Sequence, residues 1–372
     1  MKLTRFEMER YQSTFEHRVR YNLSESGVHP LNTAELLELA GSDVDLLSIR
    51  HEYGQSNGSD ALRARIAALY PGASERGVLV TVGGAEANFT AAWHLMEQGQ
   101  KVAVMVPNYM QVPGMLETFG AEVLTFPLLE ETGWQPDLDR LRACLEQGAR
   151  FILVTNPNNP TGAILTEASM DAIVREADRF GAWILADEVY KGAELDGNET
   201  PSFFGRGERI LVTNSLSKAY GLPGLRIGWI VGPEQIREDL WSRTDYTTIT
   251  PATLSDLLAT LALEPATRER IRTRTRSILT RNLPLLIEWM EGQQGLFSYR
   301  PPQAGAICYV RYDAPVNSTE LAERLRTEDD VLVVPGDHFG MDHHLRIGIG
   351  PPAELLLEGL ERMARQFEAA RA

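Results

Sequence analysis

The chain has 372 residues, 36 of them Lys or Arg against 51 Asp or Glu, giving a formal charge of −15 and a pI near 5.0. That length suits one large domain with a smaller companion, and so acidic a chain repels phosphate backbones and anionic membranes, which sets nucleic acid and lipid surfaces aside as partners. The two cysteines, Cys144 and Cys308, stand far apart and outside any CxxC arrangement, which excludes a disulfide framework and a cysteine-rich zinc site and points to a reducing cytoplasm.

The opening MKLTRFEMERYQSTFEHRVRYNL mixes charges and holds no apolar run of signal-peptide length. No later stretch approaches the roughly 18 apolar residues of a membrane span. The expectation is a soluble, cytoplasmic protein. Short apolar runs predict buried strands at 77–82, 102–106, 122–126, 151–155, 182–186 and 209–213. Amphipathic stretches at 85–97, 138–147 and 166–179 predict helices between them. Strands separated by helices predict an α/β fold, a sheet with helices on both faces. From about Pro265 the pattern changes. A long helix over 268–292 precedes strands at 297–299, 306–311, 331–334 and 345–348 and helices at 318–326 and 352–369. The expected division is a large domain over 45–275 and a smaller, discontinuous α+β domain from 1–44 and 276–372.

Four segments fall just after predicted strands, where doubly wound sheets bind ligands. In Thr81-Val82-Gly83-Gly84-Ala85-Glu86-Ala87-Asn88, glycines sit at a strand-to-helix turn. The backbone N–H groups of Gly84, Ala85 and Glu86 would suit a phosphate, although the same turn could stand with nothing bound. The pattern is neither GxGxxG nor GxxxxGK[ST], so no nicotinamide or P-loop site is indicated. Thr155-Asn156-Pro157-Asn158-Asn159-Pro160-Thr161-Gly162 forces a rigid loop that would present Asn159; its residues are also ordinary turn formers. The apolar strand around Trp183 ends in Asp187, followed by Tyr190. A buried carboxylate needs a partner, and a protonated pyridine nitrogen would serve; the other reading is a helix cap. In the run from Thr213 to Trp229, Lys218 stands among small hydroxyl residues and three glycines. Desolvation and a nearby cation would lower its pKa and make it a nucleophile able to form a Schiff base, whereas a bare lysine here could simply lie on the surface. Ser215, Ser217 and Arg226 are natural phosphate ligands, Arg226 through two parallel hydrogen bonds.

Taken in order, the Gly-Gly turn, NPxNPTG, D-x-x-Y and S-x-S-K…G-L-x-G-x-R-x-G resemble the fold-type I enzymes that use pyridoxal 5'-phosphate (PLP), in the class I/II aminotransferase family. The resemblance runs from about Tyr53 to Gly348. It implies the PLP-dependent transferase fold type I, with a mixed, mostly parallel sheet. It implies Lys218 as Schiff-base lysine and proton shuttle, Asp187 paired with the ring nitrogen, and Tyr190 and Asn159 bonded to the ring oxygen. Ser215, Ser217, Arg226 and the backbone of Gly84, Ala85 and Glu86 would hold the phosphate, and Tyr109 would stack on the ring. Tyr53 matches a tyrosine donated to the phosphate of a neighbouring subunit, which implies a homodimer. Arg346, in Leu345-Arg346-Ile347-Gly348, matches the arginine that grips the substrate carboxylate, and Gly27, in Ser26-Gly27-Val28-His29, the segment over the substrate.

The implied activity moves an α-amino group from a small amino acid to a 2-oxo acid through a Lys218 aldimine. The runner-up is β-elimination, β-replacement or cyclisation. Segments 26–29, 216–229, 245–248 and 333–340 are similar to those of capreomycidine synthase-type cyclising enzymes. His29 would then be a second acid/base, or else a turn cap. A third reading, a non-catalytic PLP-binding module, sits poorly with the presence of Lys218. Asp337, His338, Asp342, His343 and His344 fit no standard metal-ligand spacing and read as a solvated loop.

Overall fold

Apolar runs without a polar face need cover on both sides. In the computed structural model, which describes residues 3–96 and 99–371, they become the strands of one buried sheet. A two-residue strand, β1 (Tyr21–Asn22), lies outside it. The sheet itself holds β2 (Val78–Thr81), β3 (Lys101–Val106), β4 (Glu122–Leu129), β5 (Gln135–Pro136), β6 (Phe151–Thr155), β7 (Trp183–Asp187), β8 (Ile210–Ser215) and β9 (Gly228–Val231). Their order is β2-β9-β8-β7-β6-β3-β4-β5. The five strands from β8 to β4 are parallel, while β9 runs antiparallel to both β2 and β8, and β5 antiparallel to β4. The expected mixed, mostly parallel sheet is therefore present.

The sequence reading missed β9, which is four residues long and starts on a glycine. That glycine is required: a Cβ on Gly228 would run into the backbone of Gly83 and Gly84. A second, antiparallel sheet, ordered β10-β11-β14-β13, contains β10 (Phe297–Tyr299), β11 (Ile307–Tyr312), β13 (Val334–Pro335) and β14 (His344–Gly348). The strand expected over 331–334 is divided. Its first half, β12 (Val331–Leu332), pairs in parallel with β1, and its second half pairs with β14 at the sheet edge. Pro335 has no N–H for a further ladder, so an edge is where it fits. The β1–β12 pairing also ties the N-terminal segment to the C-terminal elements.

The helices are α1 (Glu7–Phe15), α2 (Thr33–Ala40), α3 (Asp60–Ala67), α4 (Gly84–Leu95), α5 (Gln111–Thr118), α6 (Leu138–Glu146), α7 (Glu167–Phe180), α8 (Arg237–Thr244), α9 (Thr253–Ala262), α10 (Pro265–Glu291), α11 (Ser318–Asp329) and α12 (Ala353–Arg371). Glu97, in the helix expected to end there, lies outside the described residues. The helix α7 shows how local signals set the boundaries. Thr166 caps it by accepting from Ser169 N, and Gly181 ends it in the left-handed region. Between those points Met170, Ile173, Val174 and Ala177 form one buried face. Alternation along β6 splits the core in two. Ile152 and Val154 pack with α6 and α7, and Phe151 and Leu153 pack with α4 and α5. Among the described residues no helix is long and apolar enough to cross a membrane.

Candidate active site

Because β6, β7 and β8 run the same way, their last residues, Thr155, Asp187 and Ser215, open on one edge of the sheet. A cavity of about 390 Å³ lies there. Its wall includes Gly84, Ala85, Tyr109, Asn159, Asp187, Tyr190, Ser215, Ser217, Lys218 and Arg226. Nine residues singled out in four separate segments thus meet in one place, together with Tyr109.

Asp187 is buried, and no helix follows it, so it is not a helix cap. Asn88 Nδ2 donates to Oδ2 at 2.8 Å and Val189 N to Oδ1 at 3.0 Å. Burial nonetheless pushes its carboxyl above the ordinary range, so a cation beside it would stabilise the charged form. The Tyr190 hydroxyl is also buried; it lies beside Ser26 but makes no hydrogen bond of good geometry.

Lys218 departs from expectation. Its Nζ lies 2.7 Å from Glu25 Oε1. Burial, the largest influence, pushes the amine down, but the Glu25 carboxylate and Tyr190 together outweigh it and the net shift is upward, not downward; Arg346 opposes this only weakly. The lysine charge in turn holds the Glu25 carboxyl down to about 2. Ser26 N and Gly27 N also donate to Glu25 Oε1, at 2.8 and 3.1 Å. Gly27 permits this close packing: a Cβ there would be 3.2 Å from Ser217 O and 3.4 Å from Lys218 Cδ.

Opposite the lysine is a cradle for an anion. Gly83 has φ +85°, and a Cβ on it would run into Arg226 Nη2; a Cβ on Gly84 would reach Ser215 Oγ at 3.4 Å. Arg226 is held by Nη1 donating to Pro223 O at 3.0 Å. The first N–H groups of α4, on Gly84, Ala85 and Glu86, have no acceptor within the helix and face this end. Glu86 is not on the cavity wall, and only its backbone could serve an anion there. Its side chain accepts from Val82 N at 2.6 Å, from Thr248 Oγ1 at 2.7 Å and from Thr247 Oγ1. The cradle, the orphaned Tyr190 hydroxyl and the buried carboxylate of Asp187 fit the phosphate, ring oxygen and ring nitrogen of PLP.

Arg346 lies behind the wall rather than on it. Nη1 donates to Asn159 Oδ1 at 2.9 Å and Nη2 to Ser24 O at 2.7 Å and Gln12 Oε1 at 3.4 Å, while Nε has no partner. With Oδ1 committed, Asn159 keeps its amide donor end free. Met8 and Gln12 of α1 cover this corner. Tyr109 donates to Glu9 Oε2 at 3.2 Å, also on α1. Tyr53 is 85% exposed and outside the cavity. His29 is absent from the cavity wall; its Nδ1 lies 3.0 Å from Gly350 O, a long-range contact between the N-terminal and C-terminal segments and not a cap on its own turn. The 337–344 segment is a solvated loop only in part: Asp342 and His343 are exposed, but His344 is buried on β14 and stacks on Tyr309 at 5.0 Å, and burial pushes His338 down to about 4. Among the described residues no group of three or more His, Cys, Asp or Glu could hold a metal.

Glu188, beside Asp187, adds a pH test. Burial raises its carboxyl to about 7, although Lys191, Phe203 N and Ser202 Oγ favour the charged form. A raised folded-state pKa gives stability that is complete below the ordinary value and lost as pH rises through 7. Glu188→Gln should therefore raise thermal stability at pH 8 and leave it nearly unchanged at pH 4.5. The shift sets an upper limit on the order of 3 kcal/mol. Equal effects at both pH values would refute this.

Residues 31–363 match the family Aminotransferase class I and II. The chain is 32% identical to capreomycidine synthase of Streptomyces vinaceus over 351 residues, covering 93% of this chain and 89% of that one. A PLP-dependent aminotransferase from Streptococcus suis superposes with a TM-score of 0.93 at 33% identity, covering 100% and 99% of the two chains. The PLP-dependent cyclase OrfR superposes at 0.90 with 26% identity and the same coverage. The fold and the cavity that Lys218 and Asp187 both line agree with these likenesses, and the chain belongs to the class I and II aminotransferase family of PLP-dependent enzymes.

Proposed function

We propose that this enzyme is an aminotransferase, moving an α-amino group between an amino acid and a 2-oxo acid. The observation that carries the reading is that Lys218, Asp187 and Asn159 line one cavity, with Arg346 bonded to Asn159 directly behind its wall. When bound, PLP supplies an electron sink for the charge left at Cα after proton removal. Asp187 keeps positive charge at the ring nitrogen's position. Arg226, Ser215 and the α4 N-terminus hold the phosphate, with Ser217 beside them, and Tyr109 covers the ring face. Tyr190 and the Asn159 amide donate to the ring oxygen. The Lys218 amine would take the Cα proton and deliver it two atoms along, to the carbon across the amino nitrogen. Arg346 binds the substrate carboxylate in place of Gln12 and Ser24, and α1 excludes water. We assign Tyr53 to the phosphate of a neighbouring copy in a homodimer, and divide the chain into a large domain over 45–275 and a small one from 1–44 and 276–372.

A second reading, cyclisation or β-elimination, is supported by the nearly full-length likeness to capreomycidine synthase and OrfR. Incubating the cofactor-loaded protein with amino acids separates the two. Keto acid that forms only when a 2-oxo acid acceptor is added supports transamination. Acceptor-independent ammonia release, or a cyclic product retaining its α-nitrogen, reassigns the enzyme.

A further inference from the structure

Once these roles are assigned, three carboxylates on the cavity wall have no counterpart: Glu9, Glu16 and Glu25. The lysine and arginine side chains on the same wall, Lys218 and Arg226, are committed to the cofactor, and Arg346 behind it to the α-carboxylate. Among the described residues of the wall no cation is left for an acidic substrate side chain. Glu25 is anchored by Ser26 N and Gly27 N as well as by Lys218, so its carboxylate stays aimed at the cavity when the lysine nitrogen is engaged. Among the described residues Glu9 bonds only to hydroxyl groups, those of Tyr109 and Ser13, and Glu16 pairs only with the exposed His17, 3.6 Å away. Two buried polar atoms near Glu25, Tyr190 Oη and Arg346 Nε, lack partners, which marks the space between as one a ligand fills.

We infer that the substrate is an amino acid with a cationic side chain, an ammonium or guanidinium group held by Glu9, Glu16 and Glu25. The inference rests on the reading of the site as a PLP amino-acid site. Charge-assisted contacts to carboxylates favour such a group, and the same wall repels a dicarboxylate.

The test is binding, read from the visible spectrum of the PLP-loaded protein as amino acids are titrated in. Arginine, lysine and ornithine should bind about 10-fold or more tighter than their uncharged counterparts citrulline and norleucine. The margin should shrink with added salt and in Glu16→Gln, a variant that should leave norleucine binding unchanged. Equal affinity across the set, or tighter binding of glutamate, overturns the inference while leaving the PLP reading intact. A protein whose spectrum responds to no amino acid refutes the PLP reading itself and takes the inference with it.

Discussion

Lys218→Ala should leave a folded protein that still takes up PLP but turns over about 10⁴-fold more slowly. The amine is the one lysine nitrogen on the cavity wall among the described residues, so its loss removes both the covalent attachment and the proton carrier at Cα. The fold does not depend on it. Glu25 is about half exposed, so screening limits the Lys218–Glu25 pair to about 1 kcal/mol or less. The phosphate cradle of Gly84, Ser215 and Arg226 does not involve the lysine amine. Borohydride reduction followed by mass measurement should add one cofactor to the parent protein and none to the variant. A small primary amine in solution should restore part of the rate, because the variant leaves a lysine-sized space beside Glu25. A variant that keeps more than a tenth of the parent's activity would overturn the role given to Lys218.

The cofactor-facing half of this site could be read from the sequence because its chemistry is local. A phosphate cradle needs glycines where the backbone closes on the anion, and Gly83, with φ +85° and Arg226 packed against it, is such a position. Asp187 was legible because an apolar strand that ends in a carboxylate is expensive in isolation. The sheet followed from period and length, with β9 too short and β12–β13 too uniform for periodicity to resolve. The substrate-facing half was not legible. Glu9 and Gln12 belong to a charged stretch whose pattern is that of any surface helix, and Glu25 to irregular chain after β1; only the folded chain lays them beside residues 159 and 346. Lys218 shows the consequence. A neighbouring cation was expected from its motif, yet the decisive neighbour is a carboxylate 193 positions away. Asn88 was inside a quoted segment, but its role as the bridge between Asp187 and Thr213 depends on the β7–β8 pairing.

That bridge underlies the second large effect. Asp187→Asn should lower turnover by about 10²- to 10³-fold, the size expected when one preorganised charge is removed from a site. The same change should stabilise the cofactor-free protein. Burial raises the Asp187 carboxyl, so the free protein carries a stability deficit that grows as pH rises above the ordinary carboxylate range, and a neutral amide removes it. The amide can be accommodated. Asn88 can turn its carbonyl toward the new Nδ2, and the Thr213 hydroxyl, which now donates to Asn88 Oδ1 at 2.6 Å, can rotate to accept instead. Cofactor-free variant should therefore melt a few degrees above cofactor-free parent at pH 8 and lose that advantage near pH 4. With PLP added the order should reverse, because only the parent gains a pyridinium–carboxylate pair in a buried setting. Melting curves at two pH values, with and without PLP, read all four cases. If the variant is the less stable protein in the absence of cofactor at pH 8, Asp187 is a structural residue satisfied by Asn88 and Val189, and its assignment to the ring nitrogen fails.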